Sequence, residues 1–206
     1  MTPETGRYVL TGQVPSVVID GPDRTYVSDP VGDSEGVRLP NGNFEMKVRG
    51  SPLVGEPNEP TLVRVFAQAM ELADGVAPGV NDTPPDNHAG ADAIFTWPGE
   101  QRVVQAVTVP QDSNYQHSVS QGAIAVEFSA EQGATWLRDA INKKFLKYPL
   151  DVRRTMILAL DARHAGILMH GEILSALTAR YPEVATLGFA AIWVVGAIPR
   201  RCVRIA

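Results

Sequence analysis

Residues 90–148 read as strand, strand, strand, helix, and this block constrains how the rest of the chain can fold. Residues 91–97 (ADAIFTW), 102–109 (RVVQAVTV) and 122–129 (GAIAVEFS) are short apolar runs bounded by Gly and Pro, which is strand patterning. Residues 130–149 change period. There Ala134, Leu137, Ala140, Ile141, Phe145 and Tyr148 recur at three and four, most of one apolar helical stripe. Polar side chains stand at telling places in this block. Asp92 opens the first run, Gln105 lies inside the second, Glu127 inside the third, and Lys143, Lys144 and Lys147 ride on the helix. Lys144 follows Ile141 by three and Leu137 by seven, so it projects beside the apolar face, either snorkelling outward or reaching a polar site at the sheet edge.

Further elements flank the block. Residues 55–75 form an amphipathic helix with Leu62, Val65, Phe66, Ala69, Met70 and Ala73 on one stripe, Pro60 near its first turn and Gly75 as its stop. Residues 155–160 (TMILAL) and 187–195 (LGFAAIWVV) are continuous apolar runs of the kind buried on both faces of a sheet. Residues 164–180 predict another amphipathic helix. Residues 1–55 have a different composition, in which short β-like runs alternate with the turn segments DGPD, DPVGD and PNGN. Asn41-Gly42 between apolar flanks signals a type I′ hairpin. The expected class is α/β: a central mixed sheet flanked by helices over residues 56–206, with a β-rich N-terminal appendage over residues 1–55.

Bulk properties narrow the function classes. A chain of 206 residues supports one sizeable core. A formal net charge of −5 disfavours a general nucleic-acid coat while leaving room for a local basic strip. One cysteine, Cys202, rules out an intrachain disulfide and the multi-cysteine zinc patterns. The first residues lack a secretory pattern, and no apolar run has membrane-spanning length, so a cytoplasmic protein of bacterial or phage type is expected. A homo-oligomer stays open.

Several constellations carry chemistry-bearing residue types. Asp82, Asp86, His88 and Asp92 crowd a loop-like segment, but match neither an EF-hand nor a His-Glu-x-x-His site. Asp161 and His164 are a metal pair, a base with its orienter, or a strand-end cap. Ser118, Ser120 and Ser129 lack a nucleophile elbow, and the phosphate-binding Gly-rich loops are absent from the sequence. Lys143, Lys147, Arg153 and Arg154, around Lys144 and Tyr148, form the basic cluster. It suits either phosphate contacts or a solvated helix end favoured by the helix dipole.

The order from residue 60, α-β-β-β-α-β, together with VQAVTVP at 104–110, WLRDAINKKFLKYP at 136–149 and TMILALDA at 155–162, resembles degenerate members of the PD-(D/E)xK nuclease-like superfamily. The resemblance covers roughly residues 90–165. It implies Mg²⁺-dependent hydrolysis of a DNA phosphodiester, or a non-catalytic structural member of the same fold. Asp92 matches the family's Asp and Gln105 its Glu/Gln. Val107 stands where a Lys is expected, and the lysine then comes from the helix as Lys144 or Lys143. A second alignment makes Glu127 the metal ligand beside Asp92, with Ser129 in place of the Lys. Lys143, Lys147, Arg153 and Arg154 would meet nucleic-acid phosphates. A third reading, a small-molecule enzyme built on the Asp82–Asp92 loop, stays beside these.

Overall fold

A computed structural model describes residues 6–10, 16–29, 32–50, 58–82, 91–110 and 123–206. The chain forms two six-stranded sheets with helices packed on them, an α/β architecture. The first sheet is an antiparallel meander of β1 (Gly6–Leu10), β2 (Ser16–Asp20), β3 (Arg24–Asp29), β4 (Gly32–Arg38) and β5 (Phe44–Gly50). The second contains β6 (Gly79–Asn81), β7 (Ala93–Trp97), β8 (Glu100–Thr108), β10 (Met156–Asp161), β11 (Ala191–Val195) and β12 (Val203–Arg204), in the spatial order β12-β11-β10-β8-β7-β6. Strand β10 runs parallel to both β8 and β11, and the remaining pairs are antiparallel. A parallel centre needs helical crossovers. They come from α2 (Ala130–Lys147) with the short α3 (Leu150–Arg153), and from α4 (Gly171–Arg180).

Strand β9 (Ala123–Phe128) corrects one expectation. The sequence pattern places it third in the nuclease-like sheet, but it pairs antiparallel with β5 and closes the first sheet. The three strands of the second sheet that precede β10 are instead β6, β7 and β8, the first of them inside the segment expected to be loop. The reason lies in β5. Its Phe44, Met46 and Val48 are buried while Glu45, Lys47 and Arg49 face outward, so its inner face needs a partner with the same alternation. Phe128 of β9 supplies it, stacked 5.7 Å from Phe44.

Helix α1 (Asn58–Asp74) covers one face of the second sheet, with Leu62, Phe66 and Met70 against Phe95, Val104, Ile157 and Trp193. Gly75 ends it with φ +72° and donates to the Glu71 carbonyl at 2.8 Å. On the other face Trp136, Leu137 and Ile141 of α2 meet Val107, Leu158, Leu160 and Ile192. Phe44, Met46 and Val48 of the first sheet join this same cluster, so the N-terminal strands share a core with the C-terminal elements. Arg38 to Glu172 at 2.7 Å and Arg201 to Asp20 at 2.6 Å tie the two parts further.

Two local expectations shift. The β4–β5 turn is centred on Pro40 and Asn41, because Gly42 N donates to Leu39 O at 3.0 Å, and Gly42, with φ 88°, closes it. Pro40 fixes a negative φ that a type I′ turn cannot use. The helix expected over 164–180 begins at Gly171, after a 3₁₀ turn at Gly166–Met169, with His170 as its N-cap.

Candidate functional site

Alternation along β8 sets the site. Val104 and Ala106 pack towards α1, so Gln105 projects to the opposite face, beneath the end of α2. Strand β7 starts at Ala93, opposite Val104, leaving the Ala106 N–H beyond the paired ladder. Asp92 fills that gap. Its backbone N–H donates to Val104 O at 3.0 Å, and its Oδ2 accepts from Ala106 N at 2.5 Å. Gln105 Nε2 donates to the same Oδ2, and also to Ala106 O at 3.3 Å. These two acceptors fix which end of the amide points to Asp92.

Helix α2 delivers the remaining groups. Ser129 caps its start, accepting from Gln132 N at 3.3 Å, and Tyr148 ends it in an extended conformation before Pro149. The buried Tyr148 hydroxyl donates to Gln105 Oε1 at 2.5 Å. A relay Tyr148 → Gln105 → Asp92 therefore runs from helix end to strand start. One turn earlier, half-buried Lys144 shares the electrostatic field of Asp92. Burial pushes the Asp92 carboxyl above its ordinary range, against the Ala106 N–H, the Lys144 charge and the Gln105 amide, which pull it down. Burial likewise lowers the Lys144 ammonium, opposed by Asp92. Asp92 and Gln105 thus meet at one rim of the second sheet, with Lys144 on α2 close enough for its charge to act on Asp92.

The other sequence candidates lie elsewhere or are occupied. Glu127 sits on β9, on the exposed side of the first sheet, and accepts from Asn41 Nδ2 at 3.0 Å and Asn43 Nδ2 at 2.7 Å. Those two bonds hold its carboxyl below the usual range. The alignment that pairs it with Asp92 fails because β9 pairs with β5 in the first sheet, while β7 has β6 and β8 as its neighbours. Arg153 turns inward, donating to the carbonyls of Phe145 at 3.1 Å and Tyr148 at 2.8 Å, with its guanidinium 4.2 Å from the Phe145 ring centre. It caps α2 and is not presented for phosphate. Lys143, Lys147 and Arg154 are exposed; Lys143 and Lys147 lie beside Lys144 on α2, Lys147 5.0 Å from the Tyr148 ring centre.

Asp82 is exposed just past β6, while Asp86 and His88 lie outside the described residues, as do Ser118 and Ser120. Among the described residues no group of three or more His, Cys, Asp and Glu side chains forms a metal cluster. Asp161 is committed to Arg163, whose Nε and Nη2 each reach it at 2.9 Å. Burial would raise the Asp161 carboxyl, and the Arg163 charge and hydrogen bonds outweigh it and hold it low. His164 Nδ1 lies 3.4 Å from Ser34 Oγ in the same buried group. Burial pushes the Cys202 thiol up to about 12, so it is no nucleophile.

Sequence reasoning counts Tyr148 in the apolar stripe and the basic cluster, but gives it no place in the site. Its signal is position: four residues after Lys144, immediately before a proline that stops the helix. No protein-family model matches the chain, and no curated protein or solved structure matches it either.

Proposed function

We propose that the chain is a nuclease-like protein of the PD-(D/E)xK type, hydrolysing a DNA phosphodiester with Mg²⁺. The observation that carries the reading is the meeting of Asp92 and Gln105 where β7 opens beside β8 under the end of α2, with the Lys144 charge acting on Asp92. Among the described residues both hydrogen bonds to Asp92 go to Oδ2, which leaves Oδ1 as a hard oxygen donor. One carboxylate suffices for Mg²⁺, an ion that keeps several waters. Bound there, the ion would supply charge against the developing phosphorane.

The chain's own residues do the rest. Tyr148 and the Ala106 N–H fix Gln105 and Asp92, so the free carboxylate oxygen keeps one direction. Lys144 offers a second positive group for a non-bridging oxygen or the attacking water. Lys143, Lys147 and Arg154 hold flanking phosphates without reading sequence. Among the described residues no helix is long and apolar enough to cross a membrane. The compartment that goes with this proposal is the cytoplasm of a bacterial or phage-infected cell.

One observation favours a second reading, a non-catalytic structural or interaction member of the same fold. The Gln105 carbonyl, the group that would join Asp92 on a metal, is taken by Tyr148. Titration with Mn²⁺, followed by loss of the free-ion electron paramagnetic resonance signal, separates the two. The nuclease reading expects binding of one ion that Asp92→Ala abolishes and Glu127→Ala leaves intact. The scaffold reading expects no binding by the wild type.

A further inference from the structure

The side-chain amide of Gln105 has two unlike ends, and its neighbours sort them. Nε2 donates to Asp92 Oδ2 and to Ala106 O at 3.3 Å, while Oε1 accepts from the Tyr148 hydroxyl at 2.5 Å. Two oxygens on one side require the N–H end, and the O–H on the other side suits the carbonyl. The last torsion of a glutamine is broad and roughly two-fold, so half a turn exchanges the ends with little torsional cost. In the turned state Oε1 would face Asp92 Oδ2 and Ala106 O, three acceptors with no hydrogen between them. Nε2 would meet Tyr148 Oη, which accepts as readily as it donates. Tyr148 therefore tolerates both orientations. Asp92 tolerates the second only with a positive ion beside its carboxylate.

The backbone around this amide is held on every side. Gln105 is 4 % exposed and Tyr148 6 %. Strand β8 is paired along both edges, with β7 and with β10. Tyr148 is the C-cap of α2: its N–H donates to Lys144 O at 3.1 Å, and its carbonyl accepts from Arg153 Nη1 at 2.8 Å. Rotation of the amide is then the smallest motion that brings a second oxygen to an ion at Asp92. Buried donors and acceptors left unmatched are costly, so a motion that exchanges partners is favoured over one that drops them. Tyr148 makes the exchange complete, because its hydroxyl matches either end of the amide.

We infer that Tyr148 is a positioning residue for the ion: it holds the Gln105 carbonyl away from Asp92 while the site is empty, and accepts from Nε2 when the amide turns its oxygen towards a bound divalent cation. The inference rests on the nuclease-like reading, in which Asp92 binds that cation. Its test uses Mg²⁺ and Mn²⁺ without DNA. The full chain, isotope-labelled at glutamine side-chain amides and at the tyrosine ring carbon bearing the hydroxyl, is titrated with Mg²⁺ and followed by NMR. The two signals are identified by their loss in Gln105→Glu and Tyr148→Phe. Both are expected to move together and saturate in wild type. Gln105→Glu presents oxygen at both ends and sets one carboxylate against another. It is expected to melt below wild type in chelator and to bind Mn²⁺ about tenfold tighter or more, as an added ligand charge does. Tyr148→Phe should bind Mn²⁺ at least as tightly as wild type. Ion binding with a stationary Gln105 signal, Tyr148→Phe binding more weakly than wild type, or no gain in Gln105→Glu would overturn the inference and leave the Asp92 site standing. A wild type that binds no ion while Tyr148→Phe does would keep Tyr148 as the group that shuts the site and sink only the nuclease reading. Binding by neither overturns both.

Discussion

Gln105 gives its side-chain amide to the Asp92 carboxylate, while its carbonyl is held by the Tyr148 hydroxyl. A strand residue thus bridges the acid opening the neighbouring strand and the last turn of the covering helix. Removing the hydroxyl leaves a buried carbonyl without its donor, which costs about 1–3 kcal/mol. Tyr148→Phe is therefore expected to lower the urea-unfolding free energy by that amount while leaving the helix content by circular dichroism intact. In the nuclease reading it also frees Gln105 Oε1 towards a cation, so Mn²⁺ affinity is expected to hold or rise in this variant.

The charges at the rim are held at a cost in stability, and pH exposes it. The Asp92 carboxyl is raised in the folded chain, chiefly by burial. A raised group favours the fold while protonated, and that contribution disappears as pH climbs from about 4 through the raised value. Metal-free Asp92→Asn is thus expected to melt above wild type at pH 7, with the gap closing towards pH 4. Lys144 is lowered, again chiefly by burial. Its contribution is present above about pH 10 and is lost as pH falls through the depressed value. Lys144→Met should then melt above wild type at pH 7 and match it near pH 11. Melting curves in which neither variant gains at neutral pH would show that these charges are not strained.

Much of this rim is legible in the sequence, and the limits have physical causes. Asp92 and Gln105 stand out because an acid opening an apolar run and an amide inside one break a strong local pattern. Lys144 stands out by helical spacing. The partner of β9 is not legible. Strand pairing across the gap from Phe44 to Phe128 leaves no trace in local periodicity, so Glu127 looks equivalent to Gln105 until its sheet is known. Strand β6, three exposed residues long, is too short to show alternation. Arg153 reads as one more surface cation because its neighbours Phe145 and Phe189, which draw it inward, lie on other elements.

The pair Asp161–Arg163 supports the fold apart from any chemistry. Both side chains are nearly sequestered from solvent at the end of β10. Removing one partner leaves a buried, uncompensated charge, worth about 3–5 kcal/mol. Arg163→Met is expected to destabilise by that amount in denaturant titration. Its loss should be largest above about pH 4 and shrink in acid, because the Asp161 carboxyl held low by Arg163 contributes only while ionised.

Nucleic-acid contact, if it follows the exposed cations, has a salt signature. Lys147→Gln and Arg154→Gln should each reduce the magnitude of the slope of log K against log salt for duplex DNA by roughly 1. Arg153→Gln should instead lower the melting temperature through the lost cap on α2. Unchanged slopes for Lys147→Gln and Arg154→Gln would move DNA away from this surface.

The most direct measurement is Mg²⁺-dependent nicking of supercoiled plasmid DNA by the wild type, Asp92→Ala, Lys144→Ala and Glu127→Ala, all confirmed folded. The expected result is cleavage by the wild type that chelator abolishes. Asp92→Ala and Lys144→Ala should each lose about 100-fold or more, the scale of removing one preorganised charge-stabilising group, and Glu127→Ala should cut like wild type. A folded wild type that cuts no DNA at millimolar Mg²⁺, or an Asp92→Ala variant that cuts as well as its parent, would contradict the assignment.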